Sequence, residues 1–403
     1  MSQLFRGYCA QVVGALLLVS ALLVQVLWSS AALGQQIAYE QLLARDWLHI
    51  QSKNVDVVSD LGAKEAREMI EKLEEYAAFC QLILSPQTPG ASKPTSLFVT
   101  DSNYTWESLG QQKMLVSARS LISQHPTALV NLGSGLAGRS NKSVAARTDI
   151  YKVIATRELQ PTQYGQELPF WYREGMSLYM PTFHEDKGRL LLGGIESLDE
   201  ELIADIKSDG GDNGYNSKNL FQRTQAPQPK SAESTSAYLE KLTEFQAQAF
   251  MTAHFFNSSV EYKERTSRFL LLLDYGHSAE SALSKAYGWS FEQLNSELEN
   301  YAHGRLYARA FDKGSILTLI EQKNGPILKG LKISPLASEV ALMNYVKLFE
   351  VLDFDVISNF DKNVFAKKVV SALNEQGIKF GSNDIADLDV APPEVADLDV
   401  VEL

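Results

Sequence analysis

Apolar residues between positions 63 and 84 recur at steps of three and four, in the order Ala66, Met69, Ile70, Leu73, Tyr76, Ala77, Cys80 and Leu84. Because that spacing places them on one face of a helix, the pattern predicts a long amphipathic helix over 63–84. Short apolar runs bounded by Gly, Pro or Asp predict strands near 55–58, 95–101 and 127–133. The first half is therefore expected to be a small sheet that carries a long helix.

Helical spacing dominates the chain from residue 141 onward. Residues 141–159 predict one helix, which Pro161 would end, and "ELPFWYREGMSLYM" predicts a second with Pro169 near its first turn. Between 209 and 236, Gly, Asn, Ser and Pro are frequent, which predicts a flexible surface loop. After this loop the apolar spacing predicts helices over 237–257, 262–276, 278–288, 290–311, 335–353 and 361–377.

The two ends of the chain differ from its body. Residues 1–34 predict a signal peptide, since after Arg6 they carry no charge and "SSAALG" supplies small residues for cleavage near Ala32 or Gly34. The apolar run is nearly long enough to cross a bilayer, so an uncleaved signal anchor is the alternative. Residues 381–403 are acidic, repeat ADLDV and predict a disordered tail.

Composition narrows the class of protein. The 403 residues are 45% hydrophobic and 21% charged, which is ordinary for a globular protein. A net charge of −12 argues against a nucleic-acid partner and leaves the N-terminal segment, if uncleaved, as the expected membrane contact. Cys9 lies in the export segment, so Cys80 stands alone in the body and is expected to be a buried packing residue.

The segment "LPFWYREGMSLYM", residues 168–180, carries the most specific chemical signal. It is similar to the "lPxWlxEGxAxyf" helix of the peptidase MA-like family, exported or membrane-associated gluzincin relatives whose third zinc ligand is the Glu of that motif. Glu174 stands at this position. Looser similarities extend the resemblance over about 47–302, from "WLHIQSKNVDVVSD" to "SFEQLNSELENYA".

The resemblance implies an α+β, zincin-like domain over 47–312. This domain would have a small sheet with a long helix, two helices that carry the site, and a mainly helical C-terminal half. A helical extension over 313–380 would follow it. The resemblance and the export signal together imply a location in a bacterial periplasm or on the outer face of the inner membrane.

The histidines of a zinc peptidase are missing. An H-E-x-x-H site needs two neutral imidazoles one helical turn apart, and the sequence contains no H-x-x-x-H pair. The preferred register places "RELQP" on the motif, because it keeps Glu158, and Arg157 and Pro161 then replace the histidines. A second register places "KVIAT", residues 152–156, there and loses the glutamate too. Arg is a permanent cation and Pro has no donor, so no zinc is expected.

The lost histidines predict a catalytically inactive, metallopeptidase-like protein without a cofactor. It would hold a peptide or protein partner in the former cleft, or serve as an envelope scaffold. A membrane-anchored structural protein that uses loop 209–236 and the acidic tail as contacts is a further possibility. Candidates for lining the cleft, with core packing the first expectation for the aromatic ones, are Trp171, Tyr172, Arg173, Tyr179 and His254.

Charge suggests what replaces the ion. Arg157 could pair with Glu174, because a guanidinium there would keep the carboxylate ionised; the alternative is that both side chains are exposed and unpaired. The alternative function is an active zinc hydrolase with a rearranged site around Glu158 and Glu174. His184, in "PTFHED", is a weak candidate ligand for that site, since a lone loop histidine beside carboxylates is more often solvated.

Overall fold

The computed structural model describes residues 41–84, 93–108, 117–120, 127–132, 141–159, 168–195, 198, 200–208, 214–228, 234–304, 306, 308–338, 340–342 and 344. The export segment 1–34, Pro161, the predicted helix 361–377 and the tail 381–403 lie outside these residues. Within the described part of the chain, no helix is long and apolar enough to cross a membrane.

The chain divides into two compact units. The main unit is Trp47–Pro335, and the other combines Met1–Asp46 with Leu336–Leu403. In this smaller unit, the Ser338 hydroxyl donates to two backbone carbonyls, those of Leu43 at 2.9 Å and Arg45 at 3.1 Å. The main unit contains the elements that position the candidate site.

A mixed sheet forms one layer of the main unit, which is of the α+β class. In the described residues its strand order is β4-β5-β3-β2-β1-β9. β1 and β2 form an antiparallel hairpin, β2, β3 and β5 run parallel, and β4 pairs antiparallel with β5 at one edge. These strands are β1 (Trp47–Gln51), β2 (Val55–Ser59), β3 (Thr95–Thr100), β4 (Ser117–Ser120), β5 (Thr127–Asn131) and β9 (Lys332–Leu336).

Two long helices pack together beside this sheet. The predicted amphipathic helix is confirmed as α1 (Ala63–Leu84), and α3 (Asn141–Glu158) ends one residue before its predicted end; a short α2 (Asn103–Ser108) lies between them in sequence. The apolar face of α1 is buried, including Cys80, as predicted. Glu74 is buried on the same face and is an exception that matters for the site.

A second, smaller sheet follows the site helix α4 (Phe170–Tyr179) and a 3-10 turn (Met180–Thr182). It has the order β6-β7-β8 among the described strands, β6 (His184–Asp186), β7 (Arg189–Leu192) and β8 (Arg309–Asp312). Lys187 and Gly188 both have positive φ, 50° and 75°, which suits a two-residue hairpin turn. The helix predicted over 290–311 is wrong beyond His303, because residues 309–312 pair with β7 as a strand.

Helices make up most of the remaining main unit. Serines cap four of them, since the side chains of Ser234, Ser259, Ser278 and Ser290 each accept from a backbone N–H in the first turn. The helices are α5 (Glu200–Lys207), α6 (Ser217–Phe221), α7 (Thr235–Phe256), α8 (Val260–Asp274), α9 (Ala279–Tyr287), α10 (Phe291–His303) and α11 (Lys313–Asn324).

The loop prediction for 209–236 holds only in part. Residues 217–221 inside it form α6, where Ser217 and Leu220 are buried. Asn216 caps this helix, and the amide oxygen of Asn295 on α10 accepts from the Ser217 N–H at 2.9 Å. These contacts hold a segment whose composition alone indicates only a loop.

Candidate functional site

Helices α4 and α7 approach each other closely at Gly175. A Cβ atom there would lie 2.2 Å from the Ala249 carbonyl oxygen and 2.8 Å from the Ala253 Cβ. Both alanines are fully buried, so these three small residues let the two backbones meet. The neighbouring Glu174 is thereby held at the seam between the helices.

Two side chains from other helices meet Glu174. The Lys152 ammonium on α3 lies 4.0 Å from Glu174 Oε1, and the Gln246 side chain on α7 donates to the same oxygen at 3.3 Å. The Lys152 side chain is 9% exposed and that of Glu174 is 21% exposed. A lysine so deeply buried needs a negative neighbour, and Glu174 provides it.

The geometry of α3 determines which residues face Glu174. Lys152 and Thr156 are four residues apart and share one side of the helix, whereas Arg157 lies about 140° around the axis from Lys152, because each residue turns by about 100°. The Thr156 hydroxyl is buried and has no hydrogen-bond partner among the described residues. Lys152, which contacts Glu174, and Thr156 one turn later therefore share a side of α3 that Arg157 does not.

The predicted Arg157–Glu174 pair is wrong. Arg157 is 3% exposed, and its guanidinium donates to the Asn54 carbonyl oxygen, to Asn54 Oδ1 at 2.8 Å and to Glu158 Oε1. Among the described contacts of Glu174, the cation is Lys152 instead. The physical reason is the helical offset, which directs Arg157 towards the β1–β2 turn and not towards α4.

Arg157 belongs to a buried polar network that sequence reasoning missed. Glu74 accepts from the Asn54 backbone N–H at 2.7 Å, from Asn54 Nδ2 at 2.6 Å and from the Ser52 hydroxyl at 2.6 Å. The Gln81 amide donates to Asn54 Oδ1 at 3.1 Å and to Glu158 at 3.3 Å. This network ties the β1–β2 turn, α1 and the end of α3 together. The sequence signal for this network was the presence of the polar residues Glu74 and Gln81 on the apolar side of α1.

The aromatic residues expected at the cleft are core residues. Trp171, Tyr172, Tyr179 and His254 are each at most 2% exposed, so their assignment to an open cleft lining is wrong and their core packing is confirmed. The Trp171 ring stacks on Phe221 with centroids 4.4 Å apart. Burial follows from the α4 pattern, in which the residues that face α7 and α6 are the apolar ones.

His254 is a structural histidine with both ring nitrogens occupied. Nε2 lies 2.9 Å from the Gly193 carbonyl oxygen, which only accepts, so Nε2 carries the hydrogen. Nδ1 then accepts from the Tyr301 hydroxyl at 2.8 Å. Burial lowers the pKa of the ring below its usual value and keeps it neutral. This arrangement leaves no lone pair for a metal ion.

His184, which was considered as a metal ligand, lies on β6 and contacts the backbone. Its Nδ1 is 3.1 Å from the Thr182 carbonyl oxygen, and its neighbour Glu185 accepts from Lys313 at 2.8 Å. Since side chains alternate along a strand, Glu185 points to the opposite side from His184 and Asp186. Among the described residues, no group of three His, Cys, Asp or Glu side chains is arranged to hold a metal ion.

Comparisons with known proteins do not assign this chain to a family. A scan against protein-family models and a search of curated proteins both returned no match for this chain. The similarity to the peptidase MA-like family therefore stays a prediction that is based on the motif around Glu174 and its flanking segments.

Proposed function

We propose that this protein is an exported, catalytically inactive relative of zinc peptidases that works by binding a peptide or protein partner. The observation that carries the proposal is the buried ammonium of Lys152 beside Glu174. Glu174 is the residue that the motif resemblance equates with the third zinc ligand. A fixed positive charge therefore lies next to the carboxylate that would otherwise contact a positive ion.

The contact favours the second register over the one preferred from the sequence. In that register, "KVIAT" takes the place of H-E-x-x-H, and Lys152 and Thr156 replace the two histidines. A protonated ammonium has three donors and no lone pair, so it cannot ligate zinc. It can supply the positive charge that a largely buried carboxylate requires.

The active-hydrolase alternative is weakened by the positions of its two carboxylates. Glu158 is 2% exposed and accepts from Arg157 and Gln81 in the polar network. Glu174 instead contacts Lys152 and Gln246. Because separate groups of neighbours hold the two carboxylates, they do not form a shared site for one water or one ion.

Restoring the two imidazoles tests the proposal. The double variant Lys152→His/Thr156→His places two histidines one turn apart on the face that meets Glu174, and an imidazole is shorter than a lysine side chain and leaves room for an ion. We expect this variant to bind one zinc per chain, measured by elemental analysis after dialysis. Adding Glu174→Ala should remove most of the bound zinc.

The matched control is Arg157→His/Pro161→His, which restores the histidines in the other register. We expect no stoichiometric zinc in this control or in the wild-type protein, and no proteolysis that a chelator abolishes. Failure of a folded Lys152→His/Thr156→His variant to take up zinc would show that the site is not a former metal centre. One zinc per wild-type chain, lost on Glu174→Ala, would contradict the proposal directly.

A further inference from the structure

A basic aromatic patch lies beside the Glu174 site. It consists of Phe170 and Arg173 on α4, Arg223 just after α6, and Phe245 on α7. Phe170 precedes Glu174 by one helical turn, and Phe245 is adjacent to Gln246, which contacts Glu174. The patch is therefore continuous with the site, although none of its members belongs to the pair that replaces the ion.

Arg223 is held in place without using its hydrogen-bond donors. Its Cζ lies 5.4 Å from the centroid of the Phe245 ring, and the Phe170 ring stacks on the same Phe245 at 5.8 Å with 8° between planes. Stacking of a guanidinium on an aromatic face leaves its N–H groups available in the plane. In the described part of the chain, no hydrogen bond or ion pair involves this exposed guanidinium.

Arg173 is the second cation of the patch without an acceptor. It is half-buried and follows Phe170 by three residues, which places the two on adjacent parts of one helix face. No described residue accepts a hydrogen bond from its side chain or forms an ion pair with it. Partial burial of a guanidinium without an acceptor is unfavourable, so an anion at this position would be stabilised.

The electrostatics of the patch contrast with those of the whole protein. The whole chain has a net charge of −12. Within the patch, however, the nearby Glu174 is already paired with Lys152, so its charge does not compensate the guanidiniums of Arg173 and Arg223. Guanidiniums bind carboxylates through charge-assisted hydrogen bonds, and the half-buried Phe170 ring, packed on the buried Phe245, offers a contact for an apolar side chain.

We propose that this patch binds an acidic peptide in which carboxylate side chains flank an aromatic residue. The inference rests on the proposed function, because it names the class of partner that the inactive site would hold. The spacings of 5.4 Å from Arg223 to the Phe245 ring and 5.8 Å from that ring to Phe170 match the reach of about three extended residues at roughly 3.3 Å each, and Arg173 follows Phe170 on the same helix face. One carboxylate would meet each guanidinium, with the aromatic side chain against Phe170.

A labelled peptide tests this inference on the folded protein. The probe is fluorescein-labelled Gly-Glu-Phe-Ala-Glu-Gly amide, followed by fluorescence anisotropy, with the same peptide carrying lysines in place of glutamates for comparison. We expect the acidic probe to bind and the basic one not to bind. Arg173→Gln and Arg223→Gln should each weaken binding by about ten- to a hundredfold, the size expected of one charge-assisted hydrogen bond.

Arg265→Gln is the matched control, because Arg265 is also a surface arginine but already pairs with Glu261 at 2.6 Å. We expect this control to bind the probe as the wild type does. Absence of binding, equal binding of the basic probe, full competition by millimolar inorganic phosphate alone, or equal loss in the Arg265 control would each overturn the inference. The zinc test of the Lys152 and Thr156 positions is unaffected by any of these results, so the two proposals fail separately.

Discussion

Replacement of Gly175 by alanine perturbs the helix crossing that positions Glu174. The added Cβ would lie 2.2 Å from the Ala249 carbonyl oxygen, whereas Cβ contacts below 3.0 Å essentially never occur. The crossing must therefore open by at least about 0.8 Å, which is the difference between these two distances. The atom in the way belongs to the backbone of α7, so no side-chain rotation relieves the contact.

The expected cost follows from two opposing effects. Overpacking of a close-packed interface costs about 1–3 kcal/mol, and a backbone contact places Gly175→Ala near the upper end of that range. Alanine is more favourable than glycine inside a helix by about 1 kcal/mol. The net destabilisation is therefore about 2 kcal/mol. For a unit the size of Trp47–Pro335, that lowers the unfolding temperature by roughly 3 °C.

Calorimetric unfolding of Gly175→Ala beside Gly314→Ala measures this effect. Gly314 is exposed in the first turn of α11, and a Cβ there would meet Asp312 at an ordinary 3.6 Å. The control should be neutral or stabilised by up to about 1 kcal/mol, because its only effects are conformational. A Gly175 variant that is as stable as the control would refute the close approach of α4 and α7.

Two further predictions concern buried polar residues. Arg157→Met should destabilise the protein by about 3–5 kcal/mol in urea unfolding, because it leaves the Glu158 carboxylate buried without its cation. The double variant Arg157→Met/Glu158→Gln should recover part of this loss. If the effects of the two substitutions were additive, the pairing of Arg157 with Glu158 would be contradicted. Burial keeps the pKa of His254 below the value of about 6.5 expected when unfolded, so the unfolded chain takes up a proton first as the pH falls. The stability that depends on neutral His254 is therefore complete above about pH 6.5 and declines below it by up to about 1.4 kcal/mol per pH unit. The difference in unfolding free energy between the wild type and His254→Gln should shrink accordingly between pH 7.5 and 5.5.

Local pattern was sufficient for the long elements of the fold. The helix over 63–84 was predicted at its observed bounds, since its apolar spacing is regular over six turns. The strand near 55–58 was predicted, whereas its hairpin partner β1 was not, because the polar and aromatic residues of Trp47–Gln51 show no clear alternation. The strand at 309–312 was read as the end of a helix, since its formation depends on pairing with β7, which is distant in sequence.

The sequence allowed single residues of the site to be predicted, but not the residues that contact them. The motif identified Glu174, and the structure places a cation beside it, as the charge argument required. The choice between Lys152 and Arg157 depends on the rotation of α3 about its axis, and "DIYKVIATREL" has apolar residues on too many sides to define that rotation. The partners of Arg157, in turn, come from a turn about 100 residues earlier in the chain.

The two buried cations of α3 each pair with a different carboxylate. Arg157 stands against Glu158 and Asn54, and Glu74 is held in the same network by backbone and side-chain donors. Lys152 is left for Glu174, which lies across a helix seam and has Gln246 as its neutral donor. A carboxylate at such a seam requires either an ion or an ammonium, since removal of both would leave a buried charge unpaired at a cost of several kcal/mol. The lysine therefore accounts for the stability of a largely buried carboxylate at this seam, and exchanging it for imidazole is the change that tests the proposed relation to a zinc site.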